Sequence, residues 1–204
     1  MTDNLNDLNG VLLQGHIKIS DPESGNVIVD KRNAIHYENM SISLAESLGN
    51  GGTGWIYEMS FGNGGTSVDP TGIITYLTPN STGTNASLYN QTYTKVIDDR
   101  SVNNVDPIRN KIETRHISGT NYTDILVSCL LDYGEPSGQD AFDNATDEAS
   151  SFIFDELGLR AYSSTGTGRL LTHVIFHPVQ KSLNRLIQVD YTVRVQSLSG
   201  FNEV

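Results

Sequence analysis

The side chains best suited to chemistry include five histidines, of which His173 and His177 are close in sequence. In a strand these two would share one face about 13 Å apart, because a strand rises ~3.3 Å per residue. The two side chains could bind the same zinc ion only if this segment were a helix. The intervening Val174, Ile175 and Phe176 favour a strand, so the sequence predicts no metal site here.

Two groups of carboxylates are the next candidates for catalysis or metal binding. Asp155 and Glu156 are adjacent, and neighbouring residues of a strand point to opposite faces. They therefore cannot act together as a glycosidase pair, and we predict capping or ion pairing. An acidic stretch offers oxygen ligands that calcium prefers, at Asp140, Asp143, Asp147 and Glu148. Its spacing does not match an EF-hand loop, so we interpret it as a solvated loop.

Catalytic nucleophiles and phosphate-binding loops have no clear counterpart in the sequence. The motif FGNGGT at 61–66 lacks the lysine and the glycine spacing of a phosphate loop, so we interpret it as a tight glycine turn. No G-x-S-x-G motif occurs. Cys129 lies in the apolar run ILVSCLL, which predicts a buried, unreactive thiol. We expect no catalytic residue, no metal and no cofactor.

The net charge of the chain limits the classes of partner that it is expected to bind. The net charge is −11 and the pI is near 4.7, which disfavours nucleic-acid backbones and anionic membrane surfaces. Segment 95–115 interleaves five basic residues with four acidic ones, so it forms no basic patch. No apolar run approaches the ~20 residues of a membrane helix, and the polar start MTDNLNDLNG does not resemble a signal peptide.

The elements that must position these residues are mostly strands. Residues 187–196 alternate strictly, with Val189, Tyr191 and Val193 on one face, as in a half-buried antiparallel strand. The segments GVLLQGHIKIS and GNVIVDK flank the turn sequence DPESGN and predict a hairpin. Strands are also expected over 169–179, over 123–132 and in the alternating stretch TGWIYEMSFG.

One helix and two long loops complete the prediction. Met40, Leu44 and Leu48 have helical spacing, with Asn39 as the expected N-cap and Gly49 as the stop. Residues 62–86 and 133–151 read as long polar loops, which usually make contacts. We predict one domain over 1–204 with an N-terminal arm of about residues 1–10. Its fold class is all-β, an antiparallel β-sandwich with long loops and one short helix.

Aromatic residues are the remaining candidates for binding. Tyr133 and Tyr162 lie near the long loops, where an exposed tyrosine can stack on a sugar or anchor an interface. Tyr57 and Tyr191 fit the alternation of core positions better. A glycan-binding module would need a cluster of such aromatics with Asp and Asn near the loops at 62–86 or 133–151.

Four ordered segments resemble virion structural proteins of tailed, T4-like phages. They are MSFGNGGT (59–66), SLYNQTY (87–93), FDELGL (154–159) and THVIFHPVQKSLNRLIQVDYTVRVQ (172–196). The opening GHIKISDPESGNVIVDKRNAIHYENM is similar to the start of such proteins. The resemblance implies a non-enzymatic tail, neck, baseplate or fibre-attachment component and carries over no catalytic residue. Candidate interface residues are Met59, Phe61, Tyr133, Phe154 and Tyr162.

The resemblance also implies partners and a location. We expect copies of the same chain and other virion proteins as partners, in a particle assembled in the host cytoplasm. The acidic character would keep free subunits soluble before assembly. Two alternatives stay open, a capsid decoration protein and a glycan-binding module on the virion surface. A hydrolase is the third class, and it lacks a nucleophile–base or carboxylate pair that the sequence can place.

Overall fold

The structure is a computed structural model that describes residues 10–136 and 151–198, with Ser151 described by its backbone alone. The proposed N-terminal arm, apart from Gly10, lies outside the described residues. The acidic stretch proposed as a solvated loop, with its possible calcium ligands between 140 and 148, also lies outside them.

Within these ranges the chain forms eleven strands and one helix, which confirms an all-β fold with one short helix. The helix α1 is Tyr37–Leu48. The strands are β1 (Gly10–Ser20), β2 (Val27–Ile35), β3 (Ile56–Gly62), β4 (Thr66–Val68), β5 (Ile74–Tyr76), β6 (Gln91–Val96), β7 (Lys111–His116), β8 (Tyr122–Leu131), β9 (Ser151–Ala161), β10 (Thr172–Ser182) and β11 (Ile187–Leu198).

Nine of these strands form one antiparallel sheet in the order β6-β3-β9-β10-β2-β1-β11-β8-β7, and β4 pairs with β5 as a separate hairpin. The two halves of the sheet meet at a short β10–β2 junction of two residue pairs, Thr172↔Ile35 and His173↔Ala34. Side chains of both halves, such as Phe61 and Tyr191, share one core cluster. The sheet is therefore a single curled one, and the two separate sheets of a sandwich are not confirmed.

The strand predictions agree in position with strands of the curled sheet, except that the strand predicted over 169–179 starts and ends three residues later, as Thr172–Ser182. The β1–β2 hairpin forms as expected, with the turn closed by a bond from the Asp21 N–H to the Asn26 carbonyl. In β11, Val189 and Tyr191 are buried and lie opposite Cys129 and Val127 of β8. Burial raises the pKa of the Cys129 thiol to about 12, which agrees with the expected unreactive thiol.

The helix α1 begins three residues earlier than predicted. His36 is the N-cap, and its Nδ1 accepts a hydrogen bond from the Asn39 N–H at 3.2 Å. The prediction of Asn39 as the cap is wrong, because its side chain is buried and donates to the Leu170 carbonyl instead. Gly49 ends the helix as expected. None of the chain's described segments is a helix long and apolar enough to cross a membrane.

The glycine turn at 61–66 packs against a buried carboxylate. Glu156 Oε1 accepts from the backbone N–H groups of Gly64 and Asn90, and Oε2 accepts from the Tyr89 N–H. A Cβ at Gly62 would lie 2.4 Å from the Asn90 carbonyl oxygen and 2.5 Å from Glu156 Oε1. Only glycine fits this close approach, so the interpretation of 61–66 as a tight turn is confirmed.

His173 completes this buried group. Its Nδ1 accepts a bond from the Asn80 N–H at 2.8 Å, which places the ring proton on Nε2, 2.9 Å from Glu156 Oε2. Both side chains are fully buried. Asp155 accepts bonds from Gly65 and Thr66 of the same turn. Both carboxylates thus accept structural hydrogen bonds, and the contact between Glu156 and the neutral His173 ring is a hydrogen bond and not the ion pair that was one of the two predicted roles.

Candidate functional site

The five predicted interface residues fall into two environments. Met59, Phe61 and Phe154 are core residues with at most 3% of their surface exposed, and the Phe61 and Phe154 rings contact each other at 5.2 Å. In this fold they offer no surface to a partner. Tyr133 is 53% exposed and donates to Glu23, and Tyr162 is half-buried. Only these two of the five can be reached from outside, and they contact different parts of the chain.

The two histidines that are close in sequence, His173 and His177, also lie in different environments. His173 is buried against Glu156, whereas His177 is exposed and bonds the Tyr76 hydroxyl at 3.2 Å. A register shift between Ile175 and Val179 in the β9–β10 pairing breaks the regular alternation. The expectation that both side chains share one face is therefore wrong. No group of three potential metal ligands occurs in residues 10–136 or 151–198.

A cleft of about 800 Å³ lies beside the first residues of β3, and three aromatic rings line it. Trp55 and Tyr162 stack with ring centroids 4.5 Å apart and planes inclined by 7°. Tyr57 meets Tyr162 edge-on, at 5.1 Å and 72°. The Tyr162 N–H donates to the Trp55 carbonyl at 2.8 Å, so the backbones that carry the stacked rings are joined directly.

A bulge in β3 explains why these aromatics face the cleft. The pairing with β9 shifts between Ile56 and Glu58, which leaves Tyr57 as an extra residue. Ile56 and Met59 therefore enter the core, while Tyr57 is half-buried on the cleft side. The prediction of Tyr57 as a core residue is wrong for this reason, whereas Tyr191 is buried as predicted.

Asp98 holds the Trp55 ring in place by a hydrogen bond. Its Oδ2 accepts from the Trp55 indole Nε1 at 3.0 Å, and Oδ1 accepts from the Arg100 backbone N–H and Nε. Only 5% of Asp98 is exposed. Glu46, which also lines the cleft, is bound by Arg169 at 2.9 Å. Both carboxylates therefore act as supports for the walls of the cleft.

The loop at 97–110 borders this cleft and carries an unusual surface. Val102, Val105 and Ile108 are 99%, 85% and 82% exposed. We call these three side chains the apolar tip. Single exposed apolar residues are common on protein surfaces, whereas three such residues on one loop make the loop a candidate contact surface.

Buried asparagines hold this loop in shape. Asn104 Nδ2 donates to the carbonyls of Asp98 and Asn110, at 3.2 and 2.8 Å. Asn110 in turn donates to the Asp106 carbonyl and accepts from the Leu130 N–H of β8. The loop backbone is thus tied to itself and to the sheet. A partner would meet the apolar tip with little further ordering of the backbone.

The charge around the apolar tip differs from that of the whole chain. Segment 95–115 has five basic and four acidic residues, a net charge of +1, against −11 for the chain. Beyond the loop, the edge strand β7 carries Lys111, Glu113 and Arg115. Charged side chains on an edge strand oppose the addition of a foreign strand, so the loop is the better contact surface at this end.

Comparison of the chain with known protein-family models, with curated proteins and with solved structures gave no match. Within the described residues, the aromatic cleft and the apolar tip are the features from which we infer a function.

Proposed function

We propose that this chain is a non-enzymatic structural subunit of a tailed-phage particle, and that it assembles with copies of itself through the apolar tip. The observation that carries the self-assembly is a rigid loop with three apolar side chains at least 82% exposed. A fixed apolar surface of this kind favours association, because its burial is not offset by the cost of ordering a flexible loop.

The resemblance to virion proteins supports the particle as the site of assembly. Its motif segments supply the groups around Glu156, namely Gly64, Asn90, Tyr89 and His173. These residues lie in different strands and loops, and they bond a carboxylate with no exposed surface. The motifs on which the resemblance rests thus serve the framework of the subunit, which is compatible with a structural role.

Charge is compatible with self-association at this loop. Two copies of a chain of charge −11 repel each other over most of their surfaces. A segment of charge +1 at 95–115 reduces that repulsion where the apolar tip approaches a neighbour. We propose a symmetric homo-oligomer, the most common outcome for self-associating soluble chains.

The particle assignment is tested by mass spectrometry of density-purified phage particles that encode this chain. We expect the chain to remain with the particle at a fixed stoichiometry after washing in high salt. Its presence in the lysate but not in purified particles would contradict a structural role.

The apolar tip is tested by the variant Val105→Asp. Burying a charged carboxylate in place of an apolar contact is expected to raise the dissociation constant by at least about 100-fold, since a buried valine contributes ~1.5–3 kcal/mol and an unpaired buried charge adds more. Light scattering over a range of concentrations measures the change. Ile117→Asp, at a side chain that is 52% exposed on another loop, is the matched control.

Two outcomes would contradict self-assembly through this loop. One is a wild-type chain that stays monomeric at every concentration, which would favour an adaptor or capsid decoration protein that needs a preassembled surface. The other is a Val105→Asp variant that associates as strongly as the wild type.

A further inference from the structure

We propose that the aromatic cleft beside β3 binds a neutral oligosaccharide. This inference does not require the proposed self-assembly, although Val102 of the apolar tip also lines the cleft, and the titration below is therefore run on an assembled and on a dissociated form of the chain. The cleft joins the stacked Trp55–Tyr162 pair, the edge-on Tyr57 and a set of polar groups in a space of about 800 Å³. Ligand sites in proteins usually have volumes of ~300–1,000 Å³.

The aromatic part of the cleft matches the apolar faces of sugar rings. A pyranose ring presents C–H groups on its faces, and aromatic rings with a polar handle suit a ligand that is apolar on one side and wet on the other. Trp55, Tyr57 and Tyr162 are half-buried, so each keeps part of its surface toward the cleft while its position is fixed. Preorganised rings of this kind reduce the entropy lost on binding.

The polar part offers donors and acceptors for hydroxyl groups. Arg100 has a side chain that is 75% exposed and uses Nε to bond Asp98, so its two terminal nitrogens remain for a ligand. Asn103 donates from Nδ2 to the Tyr57 hydroxyl at 3.1 Å, which leaves its side-chain oxygen as an acceptor. Ser101 lies next to the same hydroxyl at 3.3 Å.

Charge favours a neutral sugar over an acidic ligand. The carboxylates of Glu46 and Asp98 line the cleft together with a single arginine, Arg100. The chain as a whole has a net charge of −11, which would repel phosphates, nucleic acids and acidic sugars. Mixed aromatic and hydrogen-bonding surfaces without net positive charge fit uncharged polyhydroxyl ligands.

The single tryptophan makes the proposal directly testable, because all indole fluorescence of the chain comes from Trp55. The probes are neutral oligosaccharides of glucose, galactose and N-acetylglucosamine, titrated into the full chain. We expect a saturable change in emission with at least one of the three. The titration is run on the wild type and on Val105→Asp, so that the result is independent of the state of assembly.

Variants then locate the binding. Tyr162→Ala is expected to weaken binding by about tenfold, the change that corresponds to the loss of one aromatic contact, while Tyr162→Phe retains most of it. Arg100→Ala weakens binding without altering the ring stack. The control is Tyr37→Ala. Tyr37 is 72% exposed at the N-terminal end of α1, whereas Glu46 near the C-terminal end lines the cleft, so we expect this variant to leave the affinity unchanged. Circular dichroism confirms that each variant is folded.

Two results would overturn this proposal. The first is the absence of a saturable change with all three sugars in both protein forms. The second is binding that Tyr162→Ala and Arg100→Ala, both folded, leave unaltered. Neither result affects the light-scattering test of self-assembly, and loss of self-assembly leaves the sugar titration interpretable.

Discussion

We expect the variant Glu156→Ala to unfold with a free energy about 3–5 kcal/mol below that of the wild type, because each buried donor left unpaired costs ~1–3 kcal/mol before the site relaxes. The carboxylate accepts bonds from three backbone N–H groups and from His173 Nε2, all at 2.8–3.1 Å. Without it these donors stay buried and unpaired. Urea denaturation measures the difference.

The conservative variant Glu156→Gln separates hydrogen bonding from volume. Its amide can accept on one side only, so the bonds to either Oε1 or Oε2 are lost, and we expect a loss of about 2–3 kcal/mol. Glu113→Gln, at a carboxylate whose side chain is 57% exposed, is the control and should change stability by no more than about 0.5 kcal/mol. A Glu156→Ala variant as stable as this control would refute the role we assign to the buried carboxylate.

The same carboxylate should make stability depend on pH. Burial raises the pKa of Glu156, but hydrogen bonds from His173 and from the Asn90 and Tyr89 N–H groups outweigh burial, so its pKa lies below the ordinary 4.5. Because the folded-state pKa is lower than the unfolded one, this stabilisation is present above pH 4.5 and is lost as the pH falls through the folded-state value. Glu156→Gln should remove this part of the acid sensitivity, and parallel pH curves for the two proteins would contradict it.

The second large effect is expected at Arg160, which is only 3% exposed. Its guanidinium donates to the side chains of Ser60, Gln91 and Ser87 and to the Gly168 carbonyl, at 2.7–3.1 Å. Desolvation lowers the pKa of Arg160 even though Glu58 opposes the shift. We expect Arg160→Ala to lose about 3–5 kcal/mol of unfolding free energy, because the buried acceptors of Ser60 and Gly168 and the partly buried Gln91 lose their donor.

Arg160→Lys tests whether charge or geometry matters. A lysine keeps the charge but cannot span four acceptors with one ammonium group, so it should recover less than half of the loss in chemical denaturation. Arg115→Ala, at an exposed arginine of β7, should stay within about 0.5 kcal/mol of the wild type. If Arg160→Lys were as stable as the wild type, the planar guanidinium and the fixed directions of its N–H groups would be irrelevant to stability.

Local patterns predict much of the fold because they depend on neighbouring residues. The alternation around Tyr191 and the turn at 21–26 specify β11 and the β1–β2 hairpin through side-chain period and turn chemistry. The N-cap is misplaced in the prediction because Asn39 is a stronger intrinsic cap than His36. A distant acceptor, the Leu170 carbonyl, engages the Asn39 side chain instead, and no local rule includes it.

The cleft could not be assembled from sequence for a related reason. Trp55 and Tyr162 belong to segments joined by the β3–β9 pairing, and a bulge turns Tyr57 toward them. A bulge leaves no repeating pattern in the sequence, so a prediction based on strict alternation of strand residues places Tyr57 in the core. The sequence singles out Tyr162 as a sugar or interface residue, but the partner groups Asp98 and Arg100 come from a loop that sequence patterns do not distinguish.

Cys129 can report how often the folded core opens. Its thiol has no exposed surface and lies in β8 opposite Val189 of β11, within the core cluster of the curled sheet. A thiol reagent can reach the sulfur only in molecules in which this pairing has opened. Since the chain has no other cysteine, each labelled molecule records one such opening, and the rate of labelling at high reagent concentration counts how often the core comes apart under native conditions.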